Sequence, residues 1–170
     1  GGVARSATFL SSSANSITYT YTVQAGDNDA NGITVGAITL GATTIRDAAG
    51  NNAVLSLTGH LPSTAAILVD TTAPAVAGTV TVPLPGTYVA GQILDFVVSF
   101  DENVTVTGTG STLGLTIGTA ARNAAFASAD GNTVTYRYVV QAGDLDAHGI
   151  HNGAIALGSS TIRDAAGNDA

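Results

Sequence analysis

The 170-residue chain carries five arginines, no lysine, twelve acidic residues and no cysteine, giving a net charge of -7. Without a basic stripe to neutralise phosphates, the composition argues against nucleic-acid binding, and without thiols it offers neither disulfides nor thiolate metal sites. No apolar run approaches the roughly 20 residues of a membrane span, and no signal-peptide pattern is present, so export information is expected to lie outside this window or to have been removed.

Thr, Val, Ile, Gly and Ala dominate. Branching at Cβ suits the pleated surface of a sheet, and glycine supplies the positive φ that turns require. The composition therefore predicts an all-β fold. In chain order, alternation places Ile17, Tyr19, Tyr21 and Val23 on one face of a first strand, and a further strand falls near 53–58. The segment LVDTTAPAV at 68–76 reads as an extended hinge, because Pro74 restrains Ala73 from turning helical. After it come a strand near 76–82 and the inward row Leu94, Phe96, Val98 and Phe100. VTVTG at 104–108 is expected to belong to a long connection. The row Leu113, Leu115 and Ile117 follows, then strands near 122–128, 133–140 and 150–163, the last broken at Gly158.

Residues 138–170 repeat residues 21–53 at an offset of 117, and the alignment runs without a gap back to Gly1 against Gly118. Of these 53 aligned pairs, 33 are identical. That period is too long for a solenoid repeat and suits a sandwich module of about 100 residues. Residues 1–69 then read as the C-terminal part of one module, and 70–170 as the next module without its last strand. About seven strands per module favour tandem immunoglobulin-like β-sandwiches. Modules cut in this way leave open sheet edges, to be completed by further chain or by a neighbouring identical subunit.

The acidic residues are the candidate chemistry. Asp27, Asp29, Asn31 and Gly32 in DNDANG match the first half of a calcium-binding loop. The twelfth position, however, is Ile38 in place of glutamate. Asp144 and Asp146 are the counterparts in the second copy, where His148 replaces Asn31. An aspartate-rich turn bonding its own backbone explains the same pattern. In a seven-stranded order the loop of Asp27 and Asp29 lies at the module's exit, with Asp70 in the hinge. The next module would bring Asp101, Glu102, Asp164 and Asn168 to that junction, a set of oxygens suited to calcium.

Catalysis finds little support. No nucleophile-elbow motif surrounds a serine. Asp101 and Glu102 are adjacent on extended chain, so they point to opposite faces. His60, His148 and His151 do not recur between the copies and read as loop residues. The recurring pairs Arg5 with Arg122, and Arg46 with Arg163, read as ion-pair partners of nearby aspartates.

In order along the chain come VDTTAP, GTY-x-x-G-x-x-LDF-x-V-x-F-x-E-x-V, LTIG-x-x-x-R, Y-x-V-x-x-GD-x-D-x-x-GI and TI-x-DAAGN. This series resembles the immunoglobulin-like tandem repeats of giant bacterial surface proteins, including RTX-type adhesins and the repeat of a swimming-motility cell-surface protein. The resemblance implies an extracellular spacer module at the cell surface, whose partners are neighbouring repeats or identical subunits and whose junctions hold calcium. Two alternatives stand beside it: a self-assembling filament subunit, and an accessory module of a secreted polysaccharide-degrading enzyme. The second would need exposed aromatic residues, whereas Tyr19, Tyr21, Tyr136 and Tyr138 fall on the expected core face.

Overall fold

The computed structural model describes residues 3–170. Gly1 and Gly2, where the repeat begins, lie outside the described residues. The strands are β1 (Thr8–Ser13), β2 (Ser16–Thr20), β3 (Ile93–Ser99), β4 (Thr105–Thr107), β5 (Thr112–Ile117), β6 (Ala120–Asp130), β7 (Thr133–Val139), β8 (His151–Ala156) and β9 (Thr161–Arg163). The described residues are all-β, and the chain divides into two units, 1–71 and 72–170.

The second unit holds seven of these strands. Five form an antiparallel sheet in the order β3-β7-β6-β5-β8, and β4 pairs with β9 in a small second sheet. Alternation does the work of assembly. Leu94, Phe96 and Val98 on β3, Leu113, Leu115 and Ile117 on β5, and Val134, Tyr136 and Tyr138 on β7 all point inward. Ile162 of β9 joins the same core, so the two sheets share one sandwich-like interior. The residues between them face outward, Val139 among them at 48% exposure. Burial of these side chains, about 1.5–3 kcal/mol for each large one, is the main stabilising term.

One polar link crosses this interior. The Tyr136 hydroxyl lies 2.8 Å from Ser111 Oγ, and the Ser111 amide donates to Ser160 Oγ at 3.0 Å. The buried phenol is thereby satisfied, and the start of β5 is tied to the turn before β9.

Two expected strands are weaker than the alternation suggests. The segment near 76–82 makes only isolated bridges, Val76 to Phe100 and Thr81 to Val97. Gly78, at φ 70°, bends the chain between them. No strand forms at 53–58; only the bridge from Arg46 to Asn52 touches its start, and Val54 is 91% exposed. The break in 150–163 falls where expected, with Gly158 at φ 58° between β8 and β9. VTVTG differs from expectation. Its Thr105–Thr107 is a strand, β4, held by β9, because Val106 alternates inward against the core. The topological argument that set the Asp101–Glu102 loop at the module's entry end loses its support.

The first unit is built around the β1–β2 hairpin. Its two-residue loop sets Ala14 at φ 45°, the sole non-glycine residue with positive φ among those described. Such tight hairpin loops call for positive φ at the first loop position, and the counterpart in the second unit is Gly131 at φ 55°. Beyond the hairpin, residues 29–33 run beside 64–69. Asp29 bridges Val69 antiparallel, and the Ile33 amide donates to the Ile67 carbonyl at 3.1 Å. Gly32 permits this approach, since a Cβ there would collide with the backbone of Thr64 and Ala65. Its counterpart Gly149 has open space around it.

Phe96→Ala is expected to cost the second unit about 3–5 kcal/mol through lost burial and the cavity left behind, measured by chemical denaturation. Ala14→Gly is expected to stabilise the β1–β2 hairpin by about 0.5–1 kcal/mol by relieving left-handed strain. Slower amide exchange across β1 and β2 would register it, and unchanged or faster exchange would count against that account.

Candidate functional site

Each unit contains the same polar clip. In the first, Arg5 Nε donates to Asp27 Oδ1 at 2.7 Å, the Gln24 amide donates to Oδ2 at 2.8 Å, and the Tyr21 hydroxyl donates to Oδ2 at short range. In the second, Arg122 Nε donates to Asp144 Oδ1 at 3.0 Å, and the Gln141 amide and Tyr138 hydroxyl donate to Oδ2 at 2.9 and 2.5 Å. The tyrosine comes from the inward face of its strand or from just beyond it, and the aspartate from the turn six residues later. Arg5 precedes β1 and Arg122 lies on β6, so the clip closes a loop onto the sheet.

Both oxygens of each aspartate are therefore committed to protein donors. Asp27 is only 8% exposed, yet three donors favour its charged form. The Tyr21 hydroxyl first, then the Gln24 amide and the Arg5 guanidinium, hold its pKa down to about 2 against the opposing effect of burial. The Asp144 carboxyl is lowered in the same way, chiefly by Tyr138 and then by the Gln141 amide, with Arg122 contributing less. The donor set identifies Asp27 and Asp144 as structural anchors.

The remaining acids of these loops bond their own backbone. Asp29 Oδ1 accepts the Asn31 amide at 3.0 Å. Asp146 Oδ1 accepts the His148 and Gly149 amides at 2.8 and 2.9 Å, and its Oδ2 accepts the Gly118 amide at 2.8 Å. Those amides lower the Asp146 pKa. Asp101 Oδ1 accepts the Ala75 amide at 2.8 Å, and its own amide donates to the Ala75 carbonyl. These are turn and strand-start bonds of the kind short acidic side chains favour.

The DAAGN turn is a third recurring device. Asp164 Oδ1 accepts the Gly167 and Asn168 amides at 2.6 and 2.8 Å, while Oδ2 accepts the Asn168 side-chain amide at 2.6 Å. Asp47 holds Asn51 likewise in the first unit. Burial is the largest single influence on Asp164 and pushes its pKa up. The donors from Asn168, Gly167 and Ala166 together outweigh it, so the net shift is downward. Arg163 reaches Asp169 at 2.6 Å, and Arg46 bonds Asn52 at 3.0 Å.

Within the second unit, Glu102 and Asp164 bring carboxylate oxygens within 4.8 Å of each other. Glu102 is half-buried and Asp164 buried. Two carboxylates this close repel, and a hard cation accepting oxygen ligands relieves that repulsion. Asp164 is already bonded through both oxygens, yet a carboxylate carries about four lone-pair sites, so its chemistry fits such an ion. Asp70 is exposed near the end of the first unit.

No protein-family model matches the sequence, and neither curated proteins nor solved structures give a match.

The clip makes a pH prediction. The folded pKa of Asp27, about 2, lies below the ordinary unfolded value near 4. Its contribution is therefore complete above the unfolded value and is lost as pH falls through the folded one. Asp144 has the same sign. Stability is expected to stay flat above about pH 5 and to decline toward pH 2. In Asp144→Asn the acid decline becomes shallower, as read from denaturant midpoints across that range. A decline as steep as in the parent chain would remove Asp144 from the account.

Proposed function

We propose that this chain is part of a structural spacer, a run of tandem all-β repeats in an extracellular bacterial surface adhesin or motility protein. The observation that carries the reading is the recurrence of one module at a fixed offset of 117 residues, down to the hairpin register, the Arg–Asp–Tyr clip and the DAAGN turn. A repeated module with one set of internal anchors suits reach and mechanical persistence. The ordered motifs that resemble bacterial surface repeats supply the compartment and the partners, which are neighbouring modules. In this reading the chain carries no catalytic role.

Calcium is the cofactor of this proposal. Glu102 and Asp164 supply the nucleus of a site in the second unit, with Asn168 beside them. Asp101 fixes Ala75 at the start of the same unit.

Deleting one 117-residue period from the parent surface protein is expected to shorten its reach by one module and leave binding at its tip intact. Loss of ligand binding by an otherwise folded deletion protein would overturn the spacer role. For the ion, weak extracellular sites have dissociation constants of about 10⁻⁴–10⁻³ M. At ten times that concentration of calcium, stability should rise by about 1.4 kcal/mol. Thermal melts with calcium and with chelator test this, and Glu102→Gln should abolish the difference. An equal midpoint in both conditions would remove calcium from the reading.

A further inference from the structure

The turn at 29–33 differs chemically from its repeat counterpart. Asn31 is followed by Gly32, so its side-chain amide lies next to the least hindered kind of backbone nitrogen, one whose residue carries no Cβ. In the second copy His148 takes the place of Asn31. Asn31 is exposed, and among the described residues it is hydrogen-bonded only through its backbone amide, which donates to Asp29 Oδ1 at 3.0 Å. The Gly32 amide donates to no acceptor among the described residues, whereas the Gly149 amide donates to Asp146 Oδ1 at 2.9 Å.

Other asparagines of the first unit are tied down. Asn28 Oδ1 accepts the Thr71 amide at 2.8 Å, Asn51 Nδ2 donates to Asp47 Oδ2 at 2.8 Å, and Asn52 Oδ1 accepts from Arg46 Nε at 3.0 Å. The second Asn-Gly pair, Asn152–Gly153, lies within β8, where the ladder to β5 keeps the backbone extended. Attack of a backbone nitrogen on the preceding asparagine requires that residue to rotate until the nitrogen reaches the side-chain carbonyl carbon. Strand pairing opposes the rotation, and an unpaired turn permits it.

The backbone on either side of Asn31 is held to residues 64–69. Asp29 and Val69 exchange amide-to-carbonyl bonds at 2.7 and 3.0 Å, and the Ile33 amide donates to the Ile67 carbonyl at 3.1 Å. The Thr64 hydroxyl donates to the Ile33 carbonyl. Between these bonds Gly32 sits so close to Thr64 and Ala65 that a Cβ would collide with their backbone. The turn has no room for a longer chain.

We propose that Asn31–Gly32 is a self-modifying site, at which spontaneous deamidation inserts an extra atom into the main chain and frees residues 64–69 from 29–33. The Gly32 nitrogen attacks Asn31 Cγ and loses its proton to solvent. The Cγ–Nδ2 bond breaks, ammonia leaves, and a cyclic imide closes. Water then opens the ring at one of two carbons. Addition at Cγ gives aspartate on the original backbone. Addition at the main-chain carbonyl carbon of residue 31 gives iso-aspartate, whose backbone runs through Cβ and Cγ. Water is the only co-reactant, and nothing is oxidised or reduced. The iso-aspartate lengthens the chain between the Asp29 and Ile33 anchor points, so both sets of bonds to 64–69 can no longer be kept in register. The attachment of that segment thereby acquires a chemical clock that the second copy, with His148, does not carry. The inference uses the geometry of the first unit alone and stands whether or not the module serves as a surface spacer.

The test ages the full chain in mildly alkaline buffer. Conversion is followed by peptide mass and by enzymatic methylation of iso-aspartate, and attachment by amide exchange at Asp29, Ile33 and Val69. Conversion at Asn31 is expected to run at least about tenfold faster than at Asn152, and exchange at the three amides to quicken at least about tenfold in the converted chain. Asn31→His should stop the conversion and keep those amides protected over the same period. Asn31→Gln gives the same reading if histidine itself disturbs the turn. Asn31→Asp adds the charge without lengthening the backbone and should leave exchange close to that of fresh chain. Equal conversion at Asn31 and Asn152 would overturn the proposal, as would a converted chain with unchanged exchange at Ile33 and Val69. Loosening in Asn31→Asp as large as in the aged chain would overturn the part assigned to the lengthened backbone.

Discussion

The constraint on which the second unit depends is the burial of one row of side chains, Val134, Tyr136, Tyr138 and Val140, beneath Leu94, Phe96 and Val98. A hairpin alone is marginal in water and needs at least a third strand with an apolar face to persist. Strand β3 supplies it on one side and β5 on the other, and the small β4–β9 sheet closes the interior through Ile162. The first unit has the hairpin without the cover, and every buried hydrophobic residue among those described falls between Leu94 and Ile162. One hairpin sequence thus appears in two environments. Its backbone is nearly indifferent to the change, because turn, bulge and clip fix its shape without the core.

The polar clip explains that indifference. A carboxylate removed from most solvent is costly unless donors replace the water. Asp27 and Asp144 each receive an arginine, a tyrosine hydroxyl and a backbone amide. The donors come from segments far apart in sequence, with Arg5 22 residues from Asp27, so the bond set closes the loop over the hairpin. Asp164 and Asp47 act on a shorter scale, each holding a single turn. Aspartate rather than glutamate suits both duties, since its short side chain reaches a neighbouring amide with little rotamer freedom to lose. A bias of eleven aspartates to one glutamate is what such turn devices require.

The two units also differ at the opposite edge. Residues 64–69 lie along 29–33 and press against Gly32, whereas Gly149 stands clear. The repeated segment thus sits among different neighbours in the two units: residues 64–69 beside 29–33 in the first, and β3 and β5 beside the hairpin in the second.

The sequence by itself determined the all-β class, the inward rows of β3, β5 and β7, the break at Gly158 and the repeat. All of these follow from local alternation, turn chemistry and self-similarity, which need no knowledge of distant contacts. Even the recurrence of Arg5 and Arg122 pointed to ion pairs with aspartate. Three things were decided only by the tertiary structure. VTVTG became a strand because β9 offers an edge to Thr105–Thr107, while 53–58 formed none despite its apolar Val54, Leu55 and Leu57, since a ladder exists only where a partner strand arrives. Asp27 and Asp144 became anchors because folding brings Arg5 and Arg122 onto them, a pairing that aspartate spacing in a loop does not encode. Tyr19 and Tyr136 share residue type, register and bulge, yet one is exposed and the other buried. Burial belongs to whatever lies across the face, and no residue within the hairpin itself can specify it.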